Sequence, residues 1–251
     1  MTITFVAEIG VNHNGSLDEA LWLIDQAKKS GADIAKLQLW EGKPELSHLQ
    51  LSREQIGVCS DYCYAHDIEF MCTPFDVASL WWLVDKMQVR RIKLSSSAVF
   101  DKDLLQQAGR TRLPIILSTG MSNEGDIEAA LRCLRFAPSI TLMHCVSGYP
   151  TPLDQANLRA INSLRTYAVP LGYSDHTGDP LAIWVAIALG ATMIEMHITR
   201  SRIQEGPDHS SSYYPESFAV TVDTAKSVES MLGDGQIVPQ ECAMSLRSKL
   251  A

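Results

Sequence analysis

Eight times along its 251 residues the chain passes from a short apolar run to a longer amphipathic stretch. The apolar runs, read as strands, are Phe5–Ile9, Ile34–Leu39, Glu69–Cys72, Arg91–Leu94, Pro114–Ser118, Thr141–Cys145, Pro170–Ser174 and Met193–Met196. Helices are expected from Leu17, near Ser52–Glu54, after Pro74, from Asp101, from Asn123 or Glu124, near Asp154–Tyr167, near Asp179–Leu189 and near Pro215–Leu232. Ser16 followed by Glu19 has the spacing of a capping box, and Gly31 stops the first helix at Ser30. Strands that alternate with helices pair in parallel, and eight such units in this length suit a closed (β/α)₈ TIM barrel. With 46% apolar residues and no Gly/Ser linker, charge block or low-complexity segment, the chain reads as a single α/β domain over residues 1–251. The loops after strands six and eight read as the long ones, and long loops in compact domains tend to carry function.

The formal net charge is -8. An acidic chain lacks the basic footprint of nucleic-acid binding, so an anionic substrate has to be held by local positive groups. The N-terminus, MTITFVAEIG, has no basic leader region, and no apolar run is long enough to span a bilayer. The expectation is a cytoplasmic protein with neither membrane nor nucleic acid as partner. The 6 cysteines include no CxxC pair and read as reduced thiols, although Cys59 and Cys63 lie one helical turn apart, a spacing that also serves metals.

Barrels of this kind carry their sites at the C-terminal ends of the strands. The polar residues there are Glu8, Lys36, Gln38, Thr73, Lys93, Ser96, Ser118, Thr119, His144, Ser147, Tyr149, Ser174, Asp175, His176, Glu195 and His197, with Gly206-Pro207-Asp208-His209 in the last long loop. His176 and His197, on neighbouring strands with Asp175 and Glu195 beside them, form a candidate pair for Mn²⁺, Fe²⁺ or Zn²⁺. Lys36 and Lys93 sit in apolar strands and need a counter-charge, water or a ligand. They read either as ion pairs with Glu8, Glu195 or Asp175, or as a clamp for phosphate and carboxylate, with Thr73, Ser96 and Ser174 as neutral donors. Trp81-Trp82 reads as packing, and Lys28-Lys29 and Arg90-Arg91 as solvated helix-end charges.

The loop motifs carry a resemblance. AEIGVNHNGSLDEA (7–20), GADIAKLQ (31–38), CTPFD (72–76), ILSTGMS (116–122), HCVSGYPTP (144–152), LGYSDHTGD (171–179), LGATMIEMHIT (189–199) and GPDHSSS (206–212) resemble, in order, the catalytic domain of sialic acid synthases. That family includes the N-acetylneuraminate, legionaminate and pseudaminate synthases and their spore-coat polysaccharide relatives. The resemblance implies condensation of phosphoenolpyruvate with an N-acylmannosamine-like aldose, giving a 2-keto-3-deoxy sugar acid and phosphate. It implies a divalent metal on His176 and His197, with Mn²⁺ first and Mg²⁺ or Co²⁺ as alternatives. It assigns phosphoenolpyruvate to Lys36, Thr73, Lys93, Ser96, Ser147 and Ser174, the sugar to Tyr149 and Asp208, and catalysis to Glu8, Tyr149 and Gln38. Glu8 is the candidate base.

Three departures stand out. The family's acidic residue after strand four, which contacts the sugar or assists proton transfer, is Ala98 here. Ser147 replaces an asparagine found in some members. Gly233 to Ser248 resembles the end of the barrel and the start of the linker to an antifreeze-like domain, which in the family caps a partner's site and donates an arginine to the acyl group. Family members dimerise partly through that cap, so a homodimer is one expectation. The rival readings are another phosphoenolpyruvate-aldose synthase, making octulosonate or heptulosonate phosphates, and a non-catalytic, sugar-binding or regulatory barrel.

Overall fold

The computed structural model describes residues 3–42, 44–247 and 249. The strands are β1 (Thr4–Gly10), β2 (Ile34–Leu39), β3 (Glu69–Pro74), β4 (Ile92–Leu94), β5 (Ile115–Ser118), β6 (Ile140–His144), β7 (Leu171–Asp175) and β8 (Met193–His197). They form one 8-stranded sheet in the order β3-β2-β1-β8-β7-β6-β5-β4, with every pair parallel. That is chain order around a ring, with a seam between β3 and β4. The fold is the single-domain (β/α)₈ barrel.

The outer layer is α1 (Leu17–Lys29), α2 (Arg53–Ala65), α3 (Val77–Asp85), α4 (Lys102–Arg110), α5 (Glu124–Cys133), α6 (Ala160–Leu164), α7 (Pro180–Ala188) and α8 (Pro215–Leu232). Short polar residues start most of them. Ser16, Ser52, Asp76, Asp101, Asn123 and Asp179 each accept a backbone N–H of the first turn, satisfying a donor that the helix itself leaves open. The expected capping box at Ser16 is only half made. Ser16 accepts from the Glu19 N–H at 3.3 Å, but the Glu19 carboxylate turns to Arg200, 2.9 Å away, whose guanidinium lies over Trp22. Complete boxes form instead at Ser52–Gln55 and Asn123–Asp126.

Two expectations about elements are corrected. The sixth helix breaks into a 3-10 turn (Leu153–Gln155), the short α6 and another 3-10 turn (Arg165–Tyr167). Asn157 lies between the first two pieces at φ 44, a left-handed backbone that interrupts any continuous helix. The loop after β2 is also long, and it folds as a 3-10 segment over Pro44–Leu49.

Side chains alternate across each strand, so every second residue points into the barrel. The bottom layer is an apolar plug of Val6, Ile34, Met71, Ile116, Met143 and Met193. On β7 this layer is Gly172, where an added Cβ would lie 2.8 Å from the Met193 carbonyl oxygen and 3.0 Å from Met143 Cγ. The missing side chain is the space Met143 fills. Gly172→Ala is therefore expected to cost about 1–3 kcal/mol by overpacking, read as a lower denaturation midpoint at unchanged slope. An unchanged midpoint would mean the plug is looser than drawn.

The thiols at Cys59 and Cys63 are buried and unbonded. Burial pushes both up to about 12, with the proximity of Cys59 adding at Cys63, so neither thiol ionises at neutral pH. Arg91 corrects the reading of a free helix-end charge: its guanidinium is half-buried and pairs with Glu69 at 2.8 and 3.0 Å.

Candidate active site

One layer above the plug, the same alternation replaces apolar side chains with charged ones. Glu8, Lys36, Thr73, Lys93, Ser118, Ser174 and Glu195 surround the floor of a cavity of ≈ 400 Å³ at the C-terminal mouth. Lys36 Nζ lies 3.2 Å from Glu8 Oε2 and 3.2 Å from Glu195 Oε2, and donates to Thr73 Oγ1 at 3.3 Å. Lys93 Nζ donates to Ser118 Oγ at 2.9 Å and lies 3.3 Å from Glu195 Oε1. Ser174 donates to Glu195 at 2.9 Å, and Gln38 to Glu8 at 2.7 Å. Both lysines are thus ion-paired in the free protein, with Glu8 and Glu195 but not with Asp175.

The four charges are not equivalent. Burial pushes Glu195 up, but Lys36 and Lys93 outweigh it and hold the carboxyl well below the usual range. Glu8 shares only Lys36; burial and the nearby Glu195 carboxylate keep it above its ordinary value. Burial lowers Lys36 too, yet Glu195 and Glu8 together hold it above the ordinary lysine range. Burial also lowers Lys93, and Glu195 only partly compensates. Glu8, raised, and Lys93, lowered, are thus the two groups of this cluster shifted toward neutral pH.

The next layer holds the imidazoles. The His176 and His197 rings are 5.4 Å apart between centroids, and the Tyr149 ring stands 4.2 Å from that of His176. His176 Nδ1 lies 2.6 Å from the Val146 carbonyl oxygen, which can only accept, so Nδ1 carries the proton and Nε2 keeps its lone pair. Burial, with His197 beside it, brings His176 down to about 3, so its ring is neutral. His197 Nδ1 is buried without a hydrogen bond, 3.5 Å from Asp208 Oδ2. Burial pushes the Tyr149 phenol up, and it remains a donor. Ser96 accepts from the Gly120 N–H at 2.9 Å and lies 3.2 Å from Cys145 Sγ; Ser147 lines the same wall.

These groups fit an open metal site better than a closed one. No set of three or more His, Cys, Asp or Glu ligands converges among the described residues. Two imidazoles, the His176 ring fixed by a carbonyl and the His197 ring with an unsatisfied nitrogen, leave the remaining positions to water and substrate oxygens.

All twelve residues assigned a role from the sequence line this one cavity: Glu8, Lys36, Gln38, Thr73, Lys93, Ser96, Ser147, Tyr149, Ser174, His176, His197 and Asp208. Of the other candidates, Ser118 and Glu195 also line the cavity, while Asp175, His144, Thr119 and the loop residue His209 do not. Asp175 accepts from Tyr173 and Tyr213 hydroxyls, the Thr177 hydroxyl and N–H, and the Gly178 N–H, all at 2.8–3.1 Å, so it is a structural tie. His144 is fixed to the Ala156 carbonyl, Thr119 to that of Met143, and His209 to the Thr199 hydroxyl. Ala98, in place of an acidic residue that the resemblance puts beside the sugar, packs in the main apolar core.

Two contributors escaped the sequence reading. Gly10 sits at a register shift in β1 with φ 55, and an added Cβ would come within 3.1–3.2 Å of Asp208, Gln38 and Glu8. Asn12 donates to the Ile198 carbonyl and to Ser212 Oγ, both at 2.9 Å, and Ser212 donates to the Asp208 carbonyl at 2.7 Å, so Asn12 anchors the Asp208 loop. Both lie in the AEIGVNHNG motif, where a glycine following the strand run was the available signal; the burial of Asn12 is visible only in the structure.

Barrel, buried lysine–carboxylate floor and paired imidazoles together define a (β/α)₈ barrel with a cluster of buried charged groups at its C-terminal mouth. The chain matches the NeuB family over residues 44–237. It is 39% identical over 247 residues to an uncharacterised protein of Methanocaldococcus jannaschii, covering 93% of this chain and 73% of the relative. It is 33% identical over 279 residues to N,N'-diacetyllegionaminic acid synthase of Legionella pneumophila, covering 99% and 78%. Among solved structures, the N-acetylneuraminic acid (sialic acid) synthetase of Leptospira borgpetersenii serovar Hardjo-bovis, in complex with citrate, superposes with a TM-score of 0.93 at 30% identity, covering 99% of this chain and 91% of that one. The chain belongs to the NeuB family.

Proposed function

We propose that this enzyme condenses phosphoenolpyruvate with the open-chain form of an N-acylated aldose, yielding a 2-keto-3-deoxy sugar acid and phosphate. The observation that carries the reading is the pair of buried lysines on the cavity floor, held ready by Glu8 and Glu195. Lys36 and Lys93 face an incoming phosphate or carboxylate without having to be reoriented, so their charge acts at little reorganisation cost. Thr73, Ser96, Ser147 and Ser174 add neutral donors around the same anion. Tyr149 and Asp208, at the mouth, orient the sugar.

A divalent cation held by His176 and His197, Mn²⁺ first among the expected ions, supplies Lewis-acid polarisation of the aldehyde oxygen when bound. The enol carbon C3 attacks the aldehyde carbon, whose oxygen takes up a proton to become the new hydroxyl; water adds at C2, and as the resulting C2 hydroxyl becomes the ketone its remaining proton and the phosphate leave, breaking the C2–O bond. Glu8, lifted by burial and positioned by Gln38, takes the proton of that water. Among the described residues no helix is long and apolar enough to cross a membrane. The unbonded buried thiols fit a reducing compartment, and we place the enzyme in the cytoplasm.

Incubation with phosphoenolpyruvate, Mn²⁺ and a panel of aldoses tests the reaction. Phosphate is expected only when an acceptor is present, in equal amount to the new keto acid. Release without any acceptor, or none with any member of the panel, would contradict the reading.

A further inference from the structure

His176 and His197 stand on neighbouring strands, but the β7–β8 ladder stops just short of them, at Asp175 paired with Met196. What holds the two strand ends together past that point lies outside the cavity. Asp175 is fully buried, and a buried carboxylate is costly unless its oxygens are hydrogen-bonded. Its Oδ1 accepts the Tyr173 hydroxyl at 2.9 Å, the Thr177 hydroxyl at 2.8 Å and the Thr177 N–H at 3.1 Å. Its Oδ2 accepts the Gly178 N–H at 3.0 Å and the Tyr213 hydroxyl at 2.8 Å. The Thr177 and Gly178 donors suffice to close the turn after β7. The Tyr213 phenol comes from beyond β8 and adds a link between the strands.

Tyr213 is itself fastened to the His197 segment. Its N–H donates to the His197 carbonyl at 2.8 Å, and its carbonyl accepts the Thr199 N–H at 2.9 Å, so it bridges Ile198 as a parallel strand residue would. Its side chain is buried, and the phenol spans back to β7. One residue therefore grips the main chain of His197 and the carboxylate that immediately precedes His176. On the other side, the His176 carbonyl accepts the Thr151 N–H at 2.8 Å and its ring is fixed to the Val146 carbonyl. With the ladder ended, the Asp175–Tyr213 bond is the cross-tie at the level of the imidazoles, whose centroids lie 5.4 Å apart.

We propose that Asp175 and Tyr213 form a clasp that sets the spacing of His176 and His197, and that both are positioning residues for the metal pair. This rests on the metal reading above. Tyr213→Phe cuts the clasp and leaves the turn its other four donors. Asp175→Asn cuts deeper. An amide has one accepting oxygen, so the N–H of either Thr177 or Gly178 meets an NH₂ group and is left unpaired.

The full chain is titrated with Mn²⁺ by calorimetry, and the metal-free chain is followed by histidine-selective NMR. Tyr213→Phe is compared with Val222→Ala, a buried truncation two turns into α8 that lowers stability away from the site. Supports behind metal ligands contribute about 10- to 100-fold in affinity. Tyr213→Phe is expected to weaken Mn²⁺ binding at least about tenfold and to shift the imidazole resonances of His176 and His197, while that of the exposed His66 stays. Asp175→Asn should weaken it further. Val222→Ala should melt lower yet keep both the native Mn²⁺ affinity and the native resonances. Phosphoenolpyruvate affinity without metal should hold in Tyr213→Phe. Native Mn²⁺ affinity in Tyr213→Phe, unmoved imidazole resonances, an equal loss in Val222→Ala, or an equal loss of phosphoenolpyruvate affinity overturns the clasp. A native chain that takes up no Mn²⁺, with the resonances still moving in Tyr213→Phe alone, leaves the clasp standing and removes the metal reading.

Discussion

Lys36→Met is expected to abolish useful phosphoenolpyruvate binding and to destabilise the barrel. Lys36 is the only cation within ion-pair distance of Glu8 among the described residues, and it also serves Glu195. Methionine keeps most of the stem volume but leaves two buried carboxylates facing each other. Removing one member of a buried ion pair costs about 3–5 kcal/mol, because the remaining charge is left uncompensated. Affinity should fall as well. A charge-assisted hydrogen bond contributes roughly 1.5–3 kcal/mol, which predicts a loss of about 10- to 150-fold by titration calorimetry. Metal stoichiometry should be untouched, since Lys36 lies one layer below the imidazoles. Unchanged phosphoenolpyruvate affinity in a folded variant would show that Lys36 is only a structural counter-ion.

His176→Ala should remove the metal. The proposal gives the cation two protein ligands, so deleting one leaves no chelate, and bound Mn²⁺ is expected to fall from one equivalent to none. A ligand present at 100 times its dissociation constant stabilises a fold by about 2.7 kcal/mol. The native chain should accordingly melt higher with Mn²⁺, and the variant should not. Turnover should vanish with it, while the lysine floor still binds phosphoenolpyruvate. A full equivalent of Mn²⁺ in the variant would place the metal elsewhere.

The sequence made the barrel readable because each strand is a short, mostly apolar run and six of the eight outer helices open on a short polar cap. Ser52, Asp101 and Asn123 marked starts that the structure keeps within a residue. The sixth helix, expected near Asp154–Tyr167, is broken at Asn157, whose left-handed backbone the residue types there do not announce. The convergence of Lys36, Lys93, His176 and His197 follows from strand alternation alone, since each points inward at the C-terminal end. Alternation also says which neighbours turn away: Asp175 lies between the inward Ser174 and His176, and it closes a turn among tyrosine hydroxyls while His176 faces the cavity. Ala98, which stands where the resemblance expects an acidic residue, is buried in the main apolar core.

The decisive measurement is a crystal structure of the native enzyme with Mn²⁺ and phosphoenolpyruvate. The proposal places an anionic group of phosphoenolpyruvate within hydrogen-bond distance of both Lys36 Nζ and Lys93 Nζ, beneath a cation held by His176 and His197. Phosphoenolpyruvate bound away from the floor, with both lysines still committed to Glu8 and Glu195, would contradict it.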